Sequence, residues 1–79
     1  MKAKIFITLK EGVLDPQGKA IAQSLNNLGF TGINDVRQGR LIEINIDKEN
    51  KSSAFTEIDK MCQKLLANTV IEDYKIEIT

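Results

Sequence analysis

In Ile33-Asn34-Asp35-Val36-Arg37-Gln38-Gly39-Arg40-Leu41-Ile42-Glu43-Ile44-Asn45-Ile46-Asp47, a strand-like run is interrupted once, at Gln38-Gly39. The run is too long for one typical strand of about five or six residues, and glycine accepts positive φ without steric cost. The reading is a hairpin turning at Gln38-Gly39. Its second arm sends Ile42, Ile44 and Ile46 to one face and Leu41, Glu43 and Asn45 to the other, the two-residue period of a half-buried strand.

Upstream, Lys2 to Lys10 alternates in the same way, with Ala3, Ile5, Ile7 and Leu9 opposed to Lys4, Phe6, Thr8 and Lys10. After the loop Glu11-Gly12-Val13-Leu14, Asp15 is a natural helix cap because its carboxylate accepts orphan amide protons. Pro16 follows at the one position where a missing amide costs nothing. The first helix carries the stripe Ile21, Leu25 and Leu28, and Gly29 supplies a left-handed ending that folds Phe30 back toward Leu25. Downstream, Ser52 or Ser53 caps a second helix whose Ile58, Met61, Cys62 and Leu65 fall on one inward stripe, with Asn68 ending it. A last strand presents Tyr74, Ile76 and Ile78 opposite Lys75 and Glu77.

The order strand, helix, strand, strand, helix, strand, joined by right-handed crossovers, gives an α+β ferredoxin-like βαββαβ fold: an antiparallel sheet with two helices on one face. Residues 1–79 read as a single domain with one small core. The sheet's other face is then bare, so Phe6 and Leu41, with Tyr74 if the final strand is offset, form a second apolar surface. Unpaired sheet edges likewise invite another subunit. A dimer or tetramer of the chain is the expectation.

Composition excludes several functions. Eleven basic and eleven acidic residues balance, leaving no net field to draw a phosphate backbone or an anionic membrane, and no apolar run approaches a membrane span of about 20 residues. No nucleic acid, no membrane and a cytoplasmic setting are therefore expected. Histidine is absent and Cys62 is the lone cysteine, so neither the ligand sets of zinc sites nor a base for Ser24, Ser52, Ser53, Thr8 or Cys62 is available. Cys62 reads as a small buried hydrophobe, and the carboxylate pairs Glu11 with Asp15 and Glu72 with Asp73 read as solvated. Arg37 and Arg40 flank the turn glycine Gly39 as solvated hairpin-tip residues that could also grip an anion or a partner's carboxylate. Gly12 and Gly18 flank the helix start without the spacing of a phosphate loop.

Three stretches carry more than periodicity: Thr8-Leu9-Lys10-Glu11-Gly12-Val13-Leu14-Asp15-Pro16-Gln17-Gly18, Val36-Arg37-Gln38-Gly39-Arg40, and Lys64-Leu65-Leu66-Ala67-Asn68 with Val70-Ile71-Glu72-Asp73-Tyr74. Together they resemble the PurS family over essentially the whole chain. The resemblance implies a small subunit of phosphoribosylformylglycinamidine synthase, the purine-pathway complex that turns a formylglycinamide ribonucleotide into its amidine with ATP and glutamine. It implies two partners, a synthetase subunit of PurL type and a glutaminase subunit of PurQ type, with ammonia passing between them across a PurS bridge. ATP and magnesium are then expected in the synthetase partner, with no cofactor, metal or catalytic residue on this chain.

Two residues depart from the family's habit: Arg40 stands where lysine is usual, and Thr69 where proline usually follows the helix-ending asparagine. An ACT-like regulatory domain, binding an amino acid beside the loop of Gly12, is the alternative. An acylphosphatase-like enzyme shares the topology but needs an arginine-bearing phosphate loop after the first strand. The partner-facing candidates are Phe6, Lys10, Gly12, Asp15, Arg37, Gly39, Arg40, Leu41 and Tyr74.

Overall fold

Three strands and two helices are present in the computed structural model, which describes residues Met1–Thr79. The central strand, β1 (Lys2–Leu9), pairs antiparallel on one side with β2 (Gly39–Asn45) and on the other with β3 (Glu72–Ile78), giving the sheet order β2-β1-β3. Register runs from Lys2 opposite Asn45 to Thr8 opposite Gly39, and from Ala3 opposite Ile78 to Leu9 opposite Glu72. Opposite residues share a face, so Ala3, Ile5 and Ile7 lie with Ile42, Ile44, Tyr74, Ile76 and Ile78.

One helix covers that face. α2 (Lys51–Met61) places Ala54 and Ile58 inward, and they are fully buried along with Ile5 and Cys62. Its cap is Asn50, whose side chain accepts from the Ser53 amide at 2.8 Å, rather than Ser52 or Ser53. Asparagine is at least as good a cap as serine, and starting the helix there leaves both serines free to face solvent.

α2 runs directly into a π-helical turn over Cys62–Leu66, closed by the Ala67 amide on the Cys62 carbonyl at 3.0 Å. The wider turn rotates the chain out of α register. Leu65, expected inward, is 82% exposed, while Leu66 and Ala67 take the inward side. The connection to β3 is held on Asn68 by the amides of Val70, Ile71 and Glu72. None of these bonds uses the Thr69 amide, so the usual proline would lose no hydrogen bond here and threonine gains none.

α1 (Pro16–Asn27) begins as expected, with Asp15 as cap and proline in its first turn. It ends at Leu28 in a Schellman arrangement: Gly29, at φ +95°, donates to the Asn26 carbonyl at 3.1 Å and Phe30 donates to the Leu25 carbonyl at 3.1 Å.

The remainder departs from expectation. Ile33–Arg37 lies outside the sheet, and Gln38-Gly39 is not a turn, because β2 begins at Gly39 and the preceding chain enters it without positive φ there. α1 contributes nothing to the core cluster; Leu28 and Phe30 are 73% and 55% exposed. The ferredoxin-like class holds with α2 on the sheet, but α1 and the return segment form an arm. The chain measures 50 × 25 × 15 Å with a radius of gyration of 15.9 Å, against about 12 Å for a compact domain of this length. An eight-residue strand spans about 26 Å, so roughly half of the long axis belongs to the arm.

Candidate functional site

The arm is rooted by one carboxylate and one guanidinium. Asp15 is almost fully buried and accepts from two amides, Gly18 at 2.9 Å within its own helix and Gln38 at 2.8 Å from the return segment. These bonds, with the Arg37 charge nearby, hold its carboxyl below the ordinary 3.8. Arg37 donates to three carbonyls, that of Leu9 at the end of β1 and those of Lys10 and Val13 in the loop that follows, at 3.1, 3.1 and 3.2 Å. Two glycines let backbones meet here. A Cβ on Gly18 would stand 2.1 Å from the Val36 carbonyl oxygen, and one on Gly39 2.3 Å from that of Ile7.

Beside this root, Arg40 grips Glu72 with both guanidinium nitrogens, at 2.7 and 3.1 Å, and also donates to the Leu66 carbonyl at 2.8 Å. Glu72 accepts in addition from the Asn68 amide at 2.7 Å. Arg40 first and the Asn68 amide second hold the Glu72 carboxyl below the ordinary 4.5. The arginine thus ties the end of the π-helical turn to β3 and closes one wall of a cleft of about 340 Å³ lined by Thr8, Asp15, Gln17, Gln38, Gly39, Arg40 and Glu72, among others.

Of the sequence candidates, Asp15, Arg37, Gly39 and Arg40 therefore converge at one end of the sheet, with Lys10 joined through its carbonyl. Gly12 sits in the adjoining loop at φ +88°, open to solvent. Phe6 and Leu41 face each other across β1 and β2 on the uncovered side of the sheet, 38% and 50% exposed. Tyr74 is not with them. Its register partner is Ile7, which places it under α2, where its hydroxyl donates to Asp59 at 2.6 Å. Donation to that carboxylate first, and burial second, push the phenol above its ordinary value.

Glu72 and Gln38 belong to the cleft although the sequence reading left the first solvated and the second as a turn residue. Arg40 and Glu72 lie 32 positions apart, so only the strand register could have joined them. Cys62 is buried as expected, and burial followed by the Asp59 charge raises its thiol above the usual range.

Chemically the cleft holds two carboxylates, Asp15 and Glu72, and one guanidinium, Arg40, with Arg37 at the adjoining root, each already engaged by backbone or by one another. No base stands over a nucleophile, and the thiol is raised and enclosed. Fold and site together define a small α+β subunit built to be held by, and to hold, other polypeptides.

The comparisons give that class a family. The family model PurS, described as phosphoribosylformylglycinamidine (FGAM) synthase, matches residues 2–79. The PurS subunit of that synthase from Bacillus subtilis is 44% identical over 98% of this chain and 90% of its own length. The crystal structure of Methanocaldococcus jannaschii PurS, one of the subunits of formylglycinamide ribonucleotide amidotransferase, superposes with a TM-score of 0.87 at 46% identity, covering 96% of this chain and 92% of its own. A chain in the structure of PurLQS from Thermotoga maritima gives a TM-score of 0.88 at 31% identity, over 96% of this chain and 93% of that one. The chain belongs to the PurS family, the PurS subunits of FGAM synthase in purine biosynthesis.

Proposed function

We propose that this chain is a non-catalytic bridge in an FGAM synthase complex, joining a PurL-type synthetase subunit to a PurQ-type glutaminase subunit and assisting the passage of ammonia between them. Residues 1–79 act as one domain, in the cytoplasm, as a homo-oligomer within the complex. ATP and magnesium belong to the synthetase partner. The observation that carries the reading is the state of the ionisable groups: Asp15, Arg37, Arg40 and Glu72 are all committed to holding the chain's own loops, while apolar side chains at Phe6, Leu41, Leu65 and along the arm are left uncovered. Such a molecule offers surface, not chemistry.

The interface candidates divide accordingly. Phe6 and Leu41 offer an apolar contact on the bare sheet face. Lys10, Gly12, Asp15, Arg37, Gly39 and Arg40 shape the sheet end against which a second polypeptide fits, and Tyr74 supports it from beneath α2.

Reconstitution tests the proposal. With synthetase and glutaminase present, omission of this chain is expected to abolish glutamine-driven amidine formation while ammonium-driven formation keeps much of its rate. Equal glutamine-driven synthesis without the chain overturns the bridge. Equal loss with ammonium assigns the chain to the synthetase site instead, and an effect seen only with an added amino acid points to ACT-like regulation.

A further inference from the structure

The corner between α2 and β3 carries apolar side chains that the fold does not use. Of residues 64–68 and 70–74, Leu66 and Ala67 pack on the core, Asn68 and Glu72 close the turn, and Tyr74 reaches Asp59. Leu65 and Val70 have no such task. At 82% and 80% they stand further into solvent than any other large apolar side chain of the chain.

The outward placement of Leu65 is built into the backbone. The π-helical turn that rotates it is closed by the Ala67 amide on the Cys62 carbonyl at 3.0 Å, and Arg40 holds the carbonyl of the next residue, Leu66, at 2.8 Å. Single π-helical turns joined to α-helices are uncommon and recur at functional sites. With Met61 and Leu66, Leu65 lines a groove of about 370 Å³ along α2, whose remaining lining residues are Glu57, Lys60 and Lys64. This groove shares no residue with the cleft at the sheet end.

Charge indicates what covers it. On the sheet, Lys2 and Lys75 are neutralised by Glu43 at 2.9 Å and Glu77 at 3.4 Å, whereas none of the chain's ion pairs includes Lys60 or Lys64. Two free cations therefore stand against the one carboxylate of Glu57. A two-fold contact between copies of the chain would set each patch against itself, lysines facing lysines across an apolar centre. We infer that the groove docks a different polypeptide, a segment of a partner subunit that lays an apolar side chain beside Leu65 and sets carboxylates on Lys60 and Lys64. The inference rests on the bridging reading and gives that bridge one of its contact surfaces.

Two variants test it, Leu65→Ser and the double reversal Lys60→Glu with Lys64→Glu. All three positions are exposed, so both variants should keep the parent's melting temperature and its self-association. Each is titrated against the synthetase and the glutaminase subunit, purified separately. Against one of the two, Leu65→Ser is expected to weaken binding about thirtyfold, as loss of a central apolar anchor does, and the double reversal about tenfold. Added salt should weaken the parent's binding and leave that of the double variant unchanged.

The failures are distinguishable. Variants that bind both subunits as tightly as the parent overturn the docking groove and leave the bridge standing on other contacts. A loss with Leu65→Ser but none with the double reversal refutes the acidic partner. If Leu65→Ser instead dissociates the chain's own oligomer, the groove belongs to a second copy and the inference falls. An unaltered chain that binds neither subunit removes the bridge itself, and the groove's partner with it.

Discussion

The lobe made by the sheet and α2, and the arm made by α1 and its return segment, carry equally regular apolar patterns, yet only the lobe finds cover within its own chain. Ile58 on α2 and Cys62 in the π-helical turn are fully buried in one cluster with Ala3, Ile5 and Ile7 of β1, whereas Leu28 and Phe30 on the arm stay mostly exposed. The difference is not in periodicity or capping, since both helices start on a side-chain cap. It lies in placement: α2 lies against the sheet, whereas α1 contributes nothing to the core cluster. An amphipathic stripe states that a face is to be buried and says nothing about which molecule buries it.

The largest expected effect separates the two regions directly. Ile58→Ala empties a fully enclosed position and should cost about 2–5 kcal/mol, a large part of the roughly 4–12 kcal/mol available to a domain of this length. Leu28→Ala removes a side chain that is 73% exposed, so the dissociated chain should change by no more than about 0.5 kcal/mol. Urea midpoints at low and high protein concentration check both. The Ile58 variant should be weakened at each, and the Leu28 variant only where the parent gains stability from association. A Leu28 effect as large at high dilution as in concentrated solution would show that the arm packs within its own chain.

A second contrast concerns acid. Asp15 at the root of the arm and Glu72 in the lobe both have lowered carboxyl pKa values, so the folded state holds their protons less tightly than the unfolded chain. Their contribution is complete above the unfolded values, near 3.8 and 4.5, and is lost as pH falls through the lowered folded values. Asp15→Asn keeps one acceptor but not the charge, and leaves either the Gly18 or the Gln38 amide weakly served. The root should loosen before the lobe, with Tm lower by about 5 °C at neutral pH and a shallower decline of stability below pH 4. Glu72 and Glu43, whose carboxyl is lowered by Lys2, keep the remaining slope. Thermal melts of parent and variant between pH 2 and 6 read the difference, and parallel curves would remove Asp15 from the acid response.

Local features of both regions were legible in sequence: the alternation of β1 and the enclosure of Cys62 in the lobe, and the Asp15 cap and the Gly29 ending in the arm, all follow from local rules. The hairpin was not. A glycine that permits a turn and one that permits close strand contact look alike in sequence, and Gly39 serves the second purpose, its absent Cβ leaving room for the Ile7 carbonyl. Leu65 was misplaced because an α-helical spacing carries no sign of the π-helical turn that rotates it outward. Tyr74 needed the register of β3 against β1, which alternation within one strand cannot supply. Arg37 and Arg40 were read as solvated residues of a hairpin tip, free to grip an anion or a partner's carboxylate. Their partners proved to be this chain's own carbonyls and carboxylate, joined across distances in sequence that no local pattern spans.

The smallest expected effect tests the departure from the family at Arg40. Lysine, usual at this position, offers a single compact charge, whereas the guanidinium reaches both Glu72 oxygens and the Leu66 carbonyl at once. Arg40→Lys keeps the attraction to Glu72 but cannot hold all three contacts. Arg40 is about half exposed, at 52% of its side chain, so solvent and salt screen the pair and the loss should stay below about 1 kcal/mol. Its mark should be local. The Asn68 amide, which donates to the same carboxylate at 2.7 Å, should exchange faster in Arg40→Lys, and added salt should narrow the gap from the parent. Because Arg40 and Glu72 act through one contact, Arg40→Lys should cost less in a Glu72→Gln background than in the parent. Equal cost in both backgrounds would mean that the arginine steadies the π-helical turn through Leu66 alone, and that the lobe is closed there by a backbone contact and not by charge.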